Sequence, residues 1–327
     1  MSTVATPSFD HFIVFLNPAG TGAKRSWARV SELQALFPDH TVDVVYSSTD
    51  GRAANQELLV GEAARLGPKT LLCIGGGDGT VGMVVETLMT HPDLSATARQ
   101  TPILPLWGGN ANDLAYMLNG SPSSISLKQL FAKGEVVPIQ PLECKLLYKN
   151  GTEKTRIAIC YTSFGGTAYA SKRIAEAEHR NHPLRKLFIS RLLFEAAASV
   201  REFMRAPGFA VEEAGKQKIV YERTIVNGAR FAKTGIIPIR LDQKAFFDYT
   251  LENKGLVATP IEFLESTRKA SVPNFLKTTA EFNVKQTTLA QFDGETQEIP
   301  AGTEVHVTLS KQPVNVLSTQ LANHNTK

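Results

Sequence analysis

Residues 70–80 read Thr-Leu-Leu-Cys-Ile-Gly-Gly-Gly-Asp-Gly-Thr, and this stretch carries the clearest signal of the fold class. Its first five residues are a continuous apolar run of strand length, which is typical of a strand buried on both faces. Glycines at the end of such a strand let backbone N–H groups approach an anion closely. The helix predicted from Val81 to Met89 points its positive N-terminal end at the same place. The stretch therefore predicts a buried strand, a phosphate-binding loop and a helix.

The same order of strand, loop and helix occurs on both sides of this stretch. Predicted strands cover residues 11–16, 41–46 and 102–106, and predicted helices cover residues 24–37, 52–66 and 113–118. Strands that alternate with helices predict a parallel sheet covered by helices on both faces. The first half of the chain is therefore predicted to be a Rossmann-like α/β domain.

After about Val137 the pattern changes to short segments that are rich in β-branched and aromatic residues. They cover residues 141–148, 155–161, 218–226, 246–251, 280–290 and 303–309. Turn residues separate them, which predicts an antiparallel β domain. One long interruption, residues 168–205, has helical spacing and predicts a helical insertion between the strands.

Length and composition narrow the class of protein further. The chain has 327 residues, 43% apolar and 20% charged, so it is long enough for two globular domains. No apolar run approaches the roughly 20 residues that span a bilayer, and no secretory signal is visible at the start. Three cysteines without a CxxC pair predict neither a disulfide framework nor a zinc site. These features favour a cytoplasmic protein and exclude collagens, coiled coils and transmembrane proteins.

Three loops are the candidates for ligand binding, because each of them directly follows a predicted strand. They are residues 17–24, 75–80 and 108–113, and open α/β sheets bind their ligands at this edge. Asp78 is suited to hold Mg²⁺ through water, Thr80 to donate to a phosphate, and Lys24 to reach one. Neither a P-loop nor a dinucleotide GxGxxG motif is present. The alternative for residues 75–80 alone is a structural glycine turn capped by Asp78.

The order of four motifs resembles the diacylglycerol kinase-type lipid kinases, the soluble group that includes bacterial diacylglycerol kinase and sphingosine kinase. The motifs are residues 17–22, 76–80, 109–115 and the Asp-Gly-Glu of residues 293–295. The resemblance implies an N-terminal α/β nucleotide domain over residues 8–137, with residues 311–322 returning to it. It also implies a C-terminal antiparallel β-sandwich with a helical insertion over residues 138–310, and an active site in the cleft between the domains.

The resemblance implies a role for each matching residue. Nucleotide binding falls to Asn17, Lys24, Thr49, Gly76, Gly77, Asp78, Gly79, Thr80, Gly109, Asn110, Asn112 and Asp113, with ATP as phosphate donor. Asp78 and Asp113 would organise Mg²⁺. Asp293 would be the base that accepts the proton of the lipid hydroxyl, with Glu295 beside it, which suits a phosphoryl transfer. A tight hairpin turn is the alternative interpretation of Asp293-Gly294 taken alone.

Four positions depart from the family pattern. Asn110 stands where relatives have Thr, after an apparent insertion at residues 107–108, and Gly82-Met83 replaces the usual Asn-Glu. Gln140 replaces an Asp, for which Glu143 is the candidate substitute. The motifs around residues 227–235 and 248–251 survive only in part. An inactive nucleotide-binding homologue is therefore an alternative, and so is an NAD kinase, because residues 165–169 resemble a segment of that family.

A lipid acceptor, diacylglycerol by default, requires contact with a membrane. Residues 172–205 carry eight Lys or Arg against four acids, interleaved with leucines, and this segment is the candidate for a reversible peripheral contact with the inner membrane face. An ordinary amphipathic helix packed on the β domain is the alternative. No nucleic-acid motif accompanies the basic residues. A homodimer is compatible with the sequence.

Overall fold

The computed structural model describes residues 8–20, 22–108, 112–121, 125–175, 201–203, 205–231, 235–236, 239–252 and 275–321. The first sheet contains six strands in the order β2-β1-β3-β4-β19-β5. They are β1 His11–Leu16, β2 Thr41–Tyr46, β3 Thr70–Gly75, β4 Ile103–Pro105, β5 Glu135–Ile139 and β19 Val314–Ser318. The first four pair in parallel, as the alternating pattern predicted, and only β5 pairs antiparallel.

Helices connect these strands and cover the sheet. They are α1 Ala23–Leu36, α2 Arg52–Val60, α3 Asp78–Thr90, α4 Asp113–Asn119 and α5 Leu127–Lys133, with short 3-10 helices at Ala63–Arg65 and Ala98–Gln100. The sequence placed the start of α3 at Val81, but the helix begins at Asp78. Gly77 is its N-cap residue in an extended conformation, so the Gly-Asp-Gly-Thr motif forms the first turn of the helix. The motif therefore presents helical N–H groups as well as loop N–H groups.

The second sheet is antiparallel and contains eleven strands. Its main order is β17-β16-β8-β10-β9-β15-β18-β6-β7, with β13 paired to β10 and β14 paired to β13. The strands are β6 Leu142–Leu147, β7 Glu153–Ala158, β8 Tyr161–Gly165, β9 Phe209–Glu213, β10 Lys216–Val226, β13 Phe246–Glu252, β14 Leu276–Lys277, β15 Thr279–Val284, β16 Thr288–Phe292, β17 Glu295–Ile299 and β18 Thr303–Leu309. β11 Arg230–Phe231 and β12 Gly235–Ile236 form a separate pair. The layers of the expected sandwich are thus parts of one curled sheet.

The curl brings the two end strands of the second sheet together. Arg156 Nη1 and Lys154 Nζ on β7 donate to Gln297 Oε1 on β17, at 2.7 and 3.3 Å. The helix α6 Gly166–Ala175 follows β8 and begins the predicted helical insertion. Most of that insertion, residues 176–200, lies outside the described residues. Two apolar clusters pack on the two faces of the first sheet, one of them continuing into the second sheet, which has a third cluster of its own.

Candidate active site

The glycine loop after β3 is shaped by contacts that exclude larger residues. A Cβ atom added at Gly76 would lie 2.5 Å from Thr80 Oγ1, so only glycine fits above the threonine. Thr80 Oγ1 also accepts a hydrogen bond from Asn17 Nδ2 at 3.5 Å. The predicted nucleotide residues Asn17, Gly76 and Thr80 therefore lie together at the carboxyl ends of β1 and β3.

The first and third loops meet beside the glycine loop. A Cβ atom at Gly22 would lie 2.5 Å from the carbonyl oxygen of Gly108, so the two backbones are in direct contact. Asn17 Oδ1 accepts from the N–H of Ala19 at 3.1 Å, which closes the first loop on itself. Lys24 is exposed on the first turn of α1. Of the third loop, Gly109 and Asn110 lie outside the described residues, so their predicted role stays a prediction.

The loop between β2 and α2 holds Thr49 at the same edge of the sheet. Thr49 itself is exposed. Asn55, one turn into α2, fixes the loop: its Oδ1 accepts from Ser48 N at 2.7 Å and its Nδ2 donates to Gly51 O at 2.8 Å. Asn55 was not predicted from the sequence, although an Asn after a turn residue is a common loop clamp.

Asp78 joins two helices at the centre of the site. It is the first residue of α3, and its carboxylate accepts from the N–H groups of Asp113 and Leu114 on α4, at 3.2 and 3.4 Å. Burial, and next the negative charge of Asp113, raise the pKa of Asp78 to about 7. Asn112 is buried and caps α4 in the left-handed conformation, with φ 55°. Predicted ligands from two separate motifs are thus adjacent.

Arg230 approaches Asp113 from the second half of the chain. Its Nε lies 3.4 Å from Asp113 Oδ1, and its guanidinium carbon lies 4.6 Å from the ring centroid of Tyr116. Asp113 is fully buried. This cation was missed because nothing in the local sequence of Arg230 points to α4, which is more than a hundred residues away. It partly compensates the negative charge around Asp78.

Asp293 and Gly294 form a two-residue hairpin turn between β16 and β17. Both have positive φ, 49° and 91°, as a type I′ turn requires. The sequence predicted one strand over residues 280–290. In the structure β15 and β16 divide that segment: β15 pairs with β18, and β17 is the hairpin partner of β16. The turn interpretation is therefore confirmed, and the role of Asp293 as a base stays a prediction.

The side chain of Asp293 points inward rather than into solvent. It is 1% exposed, and its carboxylate accepts hydrogen bonds from three successive backbone N–H groups: Ile159 to Oδ2 at 2.6 Å, and Cys160 and Tyr161 to Oδ1 at 2.9 and 3.1 Å. Burial raises the pKa of Asp293 to about 6, while these hydrogen bonds oppose the rise. The charge of Asp113 also raises this pKa, so the three aspartates interact.

One face of α3 explains the unusual Gly82. A Cβ atom there would lie 3.1 Å from Asp293 Cβ, and one at Gly79 would lie 3.3 Å from Glu295 Cγ. The hairpin therefore approaches α3 where two glycines, three residues apart, leave room for it. Met83, by contrast, is buried in the core.

Glu295 is the accessible carboxylate of the Asp-Gly-Glu motif. Its side chain is 37% exposed and forms an ion pair with Arg52 Nη1 at the start of α2. The second nitrogen of that guanidinium lies 3.0 Å from Glu86 Oε1 on α3. Neither Arg52 nor Glu86 was predicted as a site residue.

The remaining departures from the family pattern have structural roles. Gln140 Nε2 donates to Ser310 O at 3.1 Å, and Glu143 lies 3.8 Å from Lys145 Nζ. Asn227 Nδ2 donates to the carbonyl groups of Gln140 and Ile159, at 2.8 and 2.9 Å, so it holds the turn whose N–H groups bind Asp293. Asp248 pairs with the buried Arg223 at 2.7 Å.

Carboxylates at the site are the candidate ligands for Mg²⁺. Within the described parts of the chain, no three His, Cys, Asp or Glu side chains form a group that would hold a metal ion. Mg²⁺, however, usually binds one or two carboxylates together with water and substrate phosphates. Asp78 is partly exposed and Asp113 is fully buried, and the N–H of Asp113 donates to the Asp78 carboxylate at 3.2 Å. The like charges of these two neighbouring carboxylates need compensation, and the pair meets that requirement. The site fits Mg²⁺ held jointly with a nucleotide.

One family of known proteins matches the first part of this chain. Residues 11–144 match the family model described as the diacylglycerol kinase catalytic domain. No curated protein matches the chain. This part of the chain is therefore similar to diacylglycerol kinase catalytic domains, and the resemblance found in the motifs is confirmed. A kinase-type domain of this family implies a nucleotide substrate such as ATP.

Two solved structures share the whole fold. One is the crystal structure of a "putative diacylglycerol kinase" from Bacillus anthracis str. Sterne, with a TM-score of 0.66 and 18% identity, covering 98% of this chain and 99% of that one. The other carries the same description, with a TM-score of 0.62 and 18% identity, over 95% and 97% of the two chains. The predicted two-domain fold is thereby confirmed.

Proposed function

We propose that the protein transfers the γ-phosphoryl group of ATP to a hydroxyl group of a membrane lipid. The observation that carries this proposal is the meeting of Asp78, Asp113 and Asp293, from three motifs, beside the glycine loop. Phosphoryl transfer needs positioning, neutralisation of phosphate charge and a carboxylate for the proton of the acceptor. The three aspartates and the loop N–H groups together supply these requirements.

Each group has a stated part in the reaction. Backbone N–H groups of Gly76–Thr80 and the N-terminus of α3 would bind the phosphates. Asp78 and Asp113 would hold Mg²⁺, which neutralises phosphate charge when bound. Asp293 would accept the hydroxyl proton at Oδ2, which has one backbone donor whereas Oδ1 has two. As the lipid oxygen bonds to the γ-phosphorus, the bond to the β–γ bridging oxygen breaks and ADP leaves.

A raised pKa suits Asp293 to act as the general base. A general base works best when its pKa is not far below the working pH, and burial raises the pKa of Asp293 to about 6. The three N–H groups at the β7–β8 turn stabilise the negative charge of this buried carboxylate. Glu295, the more exposed carboxylate, lies next to it and is tested in parallel.

The proposal includes diacylglycerol as the acceptor, a peripheral contact with the membrane and a homodimer. Residues 176–200, which contain most of the predicted docking segment, lie outside the described residues, and Lys172 on α6 is exposed. Among the helices that the structure describes, none is long and apolar enough to span a bilayer.

The test is transfer of label from γ-labelled ATP to mixed micelles that contain diacylglycerol, ceramide, a sphingoid base or phosphatidylglycerol, with NAD as a soluble acceptor. Wild type is expected to label a lipid, and Asp293→Asn to lower kcat by about a hundredfold or more. Glu295→Gln shows whether the exposed carboxylate shares the role. Glu298→Gln, an exposed glutamate on the same strand, is the matched control and should keep full activity.

Two results would contradict the proposal. Labelled NADP would assign the protein to the NAD kinases. ATP binding without a labelled product on any acceptor would indicate a nucleotide-binding homologue without transfer activity.

A further inference from the structure

A closed set of polar contacts surrounds the hairpin turn that carries Asp293. We define the clamp as Arg52, Glu86, Arg156, Glu295 and Gln297. Glu86 binds both guanidinium groups: Oε1 lies 3.0 Å from Arg52 Nη2, and Oε2 lies 2.8 Å from Arg156 Nε. Arg52 Nη1 then pairs with Glu295, and Arg156 Nη1 donates to Gln297 Oε1 at 2.7 Å. The contacts form a ring, because Glu295 and Gln297 both belong to β17.

The clamp connects four elements: α2, α3, β7 and β17. Residues two apart on a strand face the same side, so Glu295 and Gln297 both point toward the guanidinium groups. Arg156 also stacks on Phe292, with its guanidinium carbon 4.6 Å from the ring centroid. Phe292 and Glu295 flank the Asp293–Gly294 turn. The clamp therefore holds the turn from both of its strands.

The ion pair at the centre of the clamp, between Glu86 and Arg156, is buried. Glu86 is 7% exposed and Arg156 is 5% exposed. Glu86 Oε2 also accepts the N–H of Ile157 at 3.1 Å, two residues before the N–H groups that bind Asp293. Removing one partner of a buried charge pair leaves the other uncompensated, which is far more disruptive than losing a surface pair.

We propose that Glu86, Arg52 and Arg156 are positioning residues that hold Asp293 and Glu295 in register with the glycine face of α3. This inference rests on the proposed kinase function. α3 carries Asp78 at its start, Gly79 and Gly82 on the face toward the hairpin, and Glu86 one turn further along. One helix thus fixes the nucleotide end of the site and, through the clamp, the proposed base. Small displacements of reacting groups lower rates strongly.

The first test is Glu86→Gln, which keeps the shape of the side chain but removes the charge shared by both guanidinium groups. We expect kcat for lipid phosphorylation to fall at least about tenfold while the KM for ATP changes less than about threefold. Arg52→Met should have a similar effect, and Arg52→Lys, which keeps the charge without the two-armed geometry, should recover part of it.

The second test needs no substrate. Amide hydrogen exchange at Ile159, Cys160 and Tyr161 reports whether Asp293 is in place, because those N–H groups donate to its carboxylate. Exchange there should be at least about tenfold faster in Glu86→Gln, with β1 amides unchanged. Arg65→Met is the matched control: it removes ion pairs to Asp43 and Glu62 on an arginine that is 44% exposed, and should change neither readout.

The outcomes separate the two proposals. Unchanged kcat and unchanged exchange in folded Glu86→Gln and Arg52→Met would overturn the clamp while leaving the kinase function in place. Faster exchange at residues 159–161 in the variants, with a wild type that phosphorylates nothing, would support the clamp and overturn the proposed function. If Glu86→Gln does not fold, the partly exposed Arg52 variants decide the question.

Discussion

At the residue scale, Glu222 on β10 is a fully buried carboxylate held by neutral donors. It accepts from Thr167 N at 2.9 Å, from Thr224 Oγ1 at 2.7 Å and from Thr167 Oγ1. Burial is the largest influence and raises the pKa of Glu222 to about 7, although the hydrogen bonds oppose it. Because Thr167 lies in the first turn of α6, the protonation of Glu222 is linked to the start of that helix.

The raised pKa of Glu222 predicts that the free energy of unfolding depends on pH. The pKa of Glu222 in the unfolded chain is about 4.3, so the folded state binds more protons between that value and about 7. The stabilising contribution is therefore complete below about pH 4 and is lost as the pH rises through about 7. We expect Glu222→Gln to abolish this part of the dependence, roughly 2 to 3 kcal/mol, as measured by urea unfolding between about pH 5 and pH 8.

A matched control is Glu212→Gln on β9, a partly exposed glutamate that pairs with Lys285 at 2.9 Å. It should retain the wild-type slope of unfolding free energy against pH. Superimposable pH profiles for wild type and Glu222→Gln would show that Glu222 is not the group responsible.

At the element scale, α3 combines a ligand-binding start with a glycine face. Alanine normally stabilises a helix relative to glycine by roughly 1 kcal/mol. At Gly82 the added methyl group would lie 3.1 Å from Asp293 Cβ and 3.2 Å from its Oδ2. We expect Gly82→Ala to reverse the usual sign and destabilise the protein by about 1 to 2 kcal/mol in urea unfolding, because the hairpin must move away.

Gly67→Ala, in the loop before β3, provides the comparison. Its added methyl group would lie 3.6 Å from Thr97 Cγ2, an ordinary contact, so the change in unfolding free energy should stay within about 0.5 kcal/mol. A Gly82→Ala protein that is more stable than wild type would mean that the hairpin does not pack on α3 as described.

At the scale of the whole molecule, β19 joins the end of the described chain to the first sheet. Val316 is fully buried and pairs with Ile103 on β4 and Val137 on β5. A chain segment that follows all strands of the second sheet therefore completes the first sheet. The two sheets depend on each other through this connection.

Val316→Asp is expected to destabilise the first sheet by several kcal/mol, because it places an unpaired carboxylate among buried strands. The matched control is Asn315→Asp, which adds the same charge one residue earlier, at a partly exposed side chain. It gives up the hydrogen bond that Asn315 Nδ2 donates to Gln100 O, which should cost only about 1 kcal/mol. Thermal unfolding of both variants measures the difference. Equal melting temperatures would argue against a buried β19.

Much of the first domain was predictable because its signals are local. The apolar run of residues 70–74, the glycines after it and the alternation of strands with helices identify a parallel sheet without knowledge of contacts. Helix boundaries were less predictable. The helix α3 begins at Asp78, earlier than predicted, because glycines have a low helix propensity and so do not indicate a helical first turn. In the second domain, strand existence was predictable, but Ala280–Ala290 had no internal signal for the break between β15 and β16.

The fold class, the glycine loop and the candidate aspartates could be inferred from the amino-acid sequence, because their signals lie in consecutive residues. The three-dimensional arrangement was needed to show that Asp293 turns inward onto three N–H groups, that Gly82 makes room for it, and that Glu86 joins Arg52 to Arg156. These facts depend on residues 34 to 211 positions apart, whose proximity follows from how the two sheets pack and not from any local pattern.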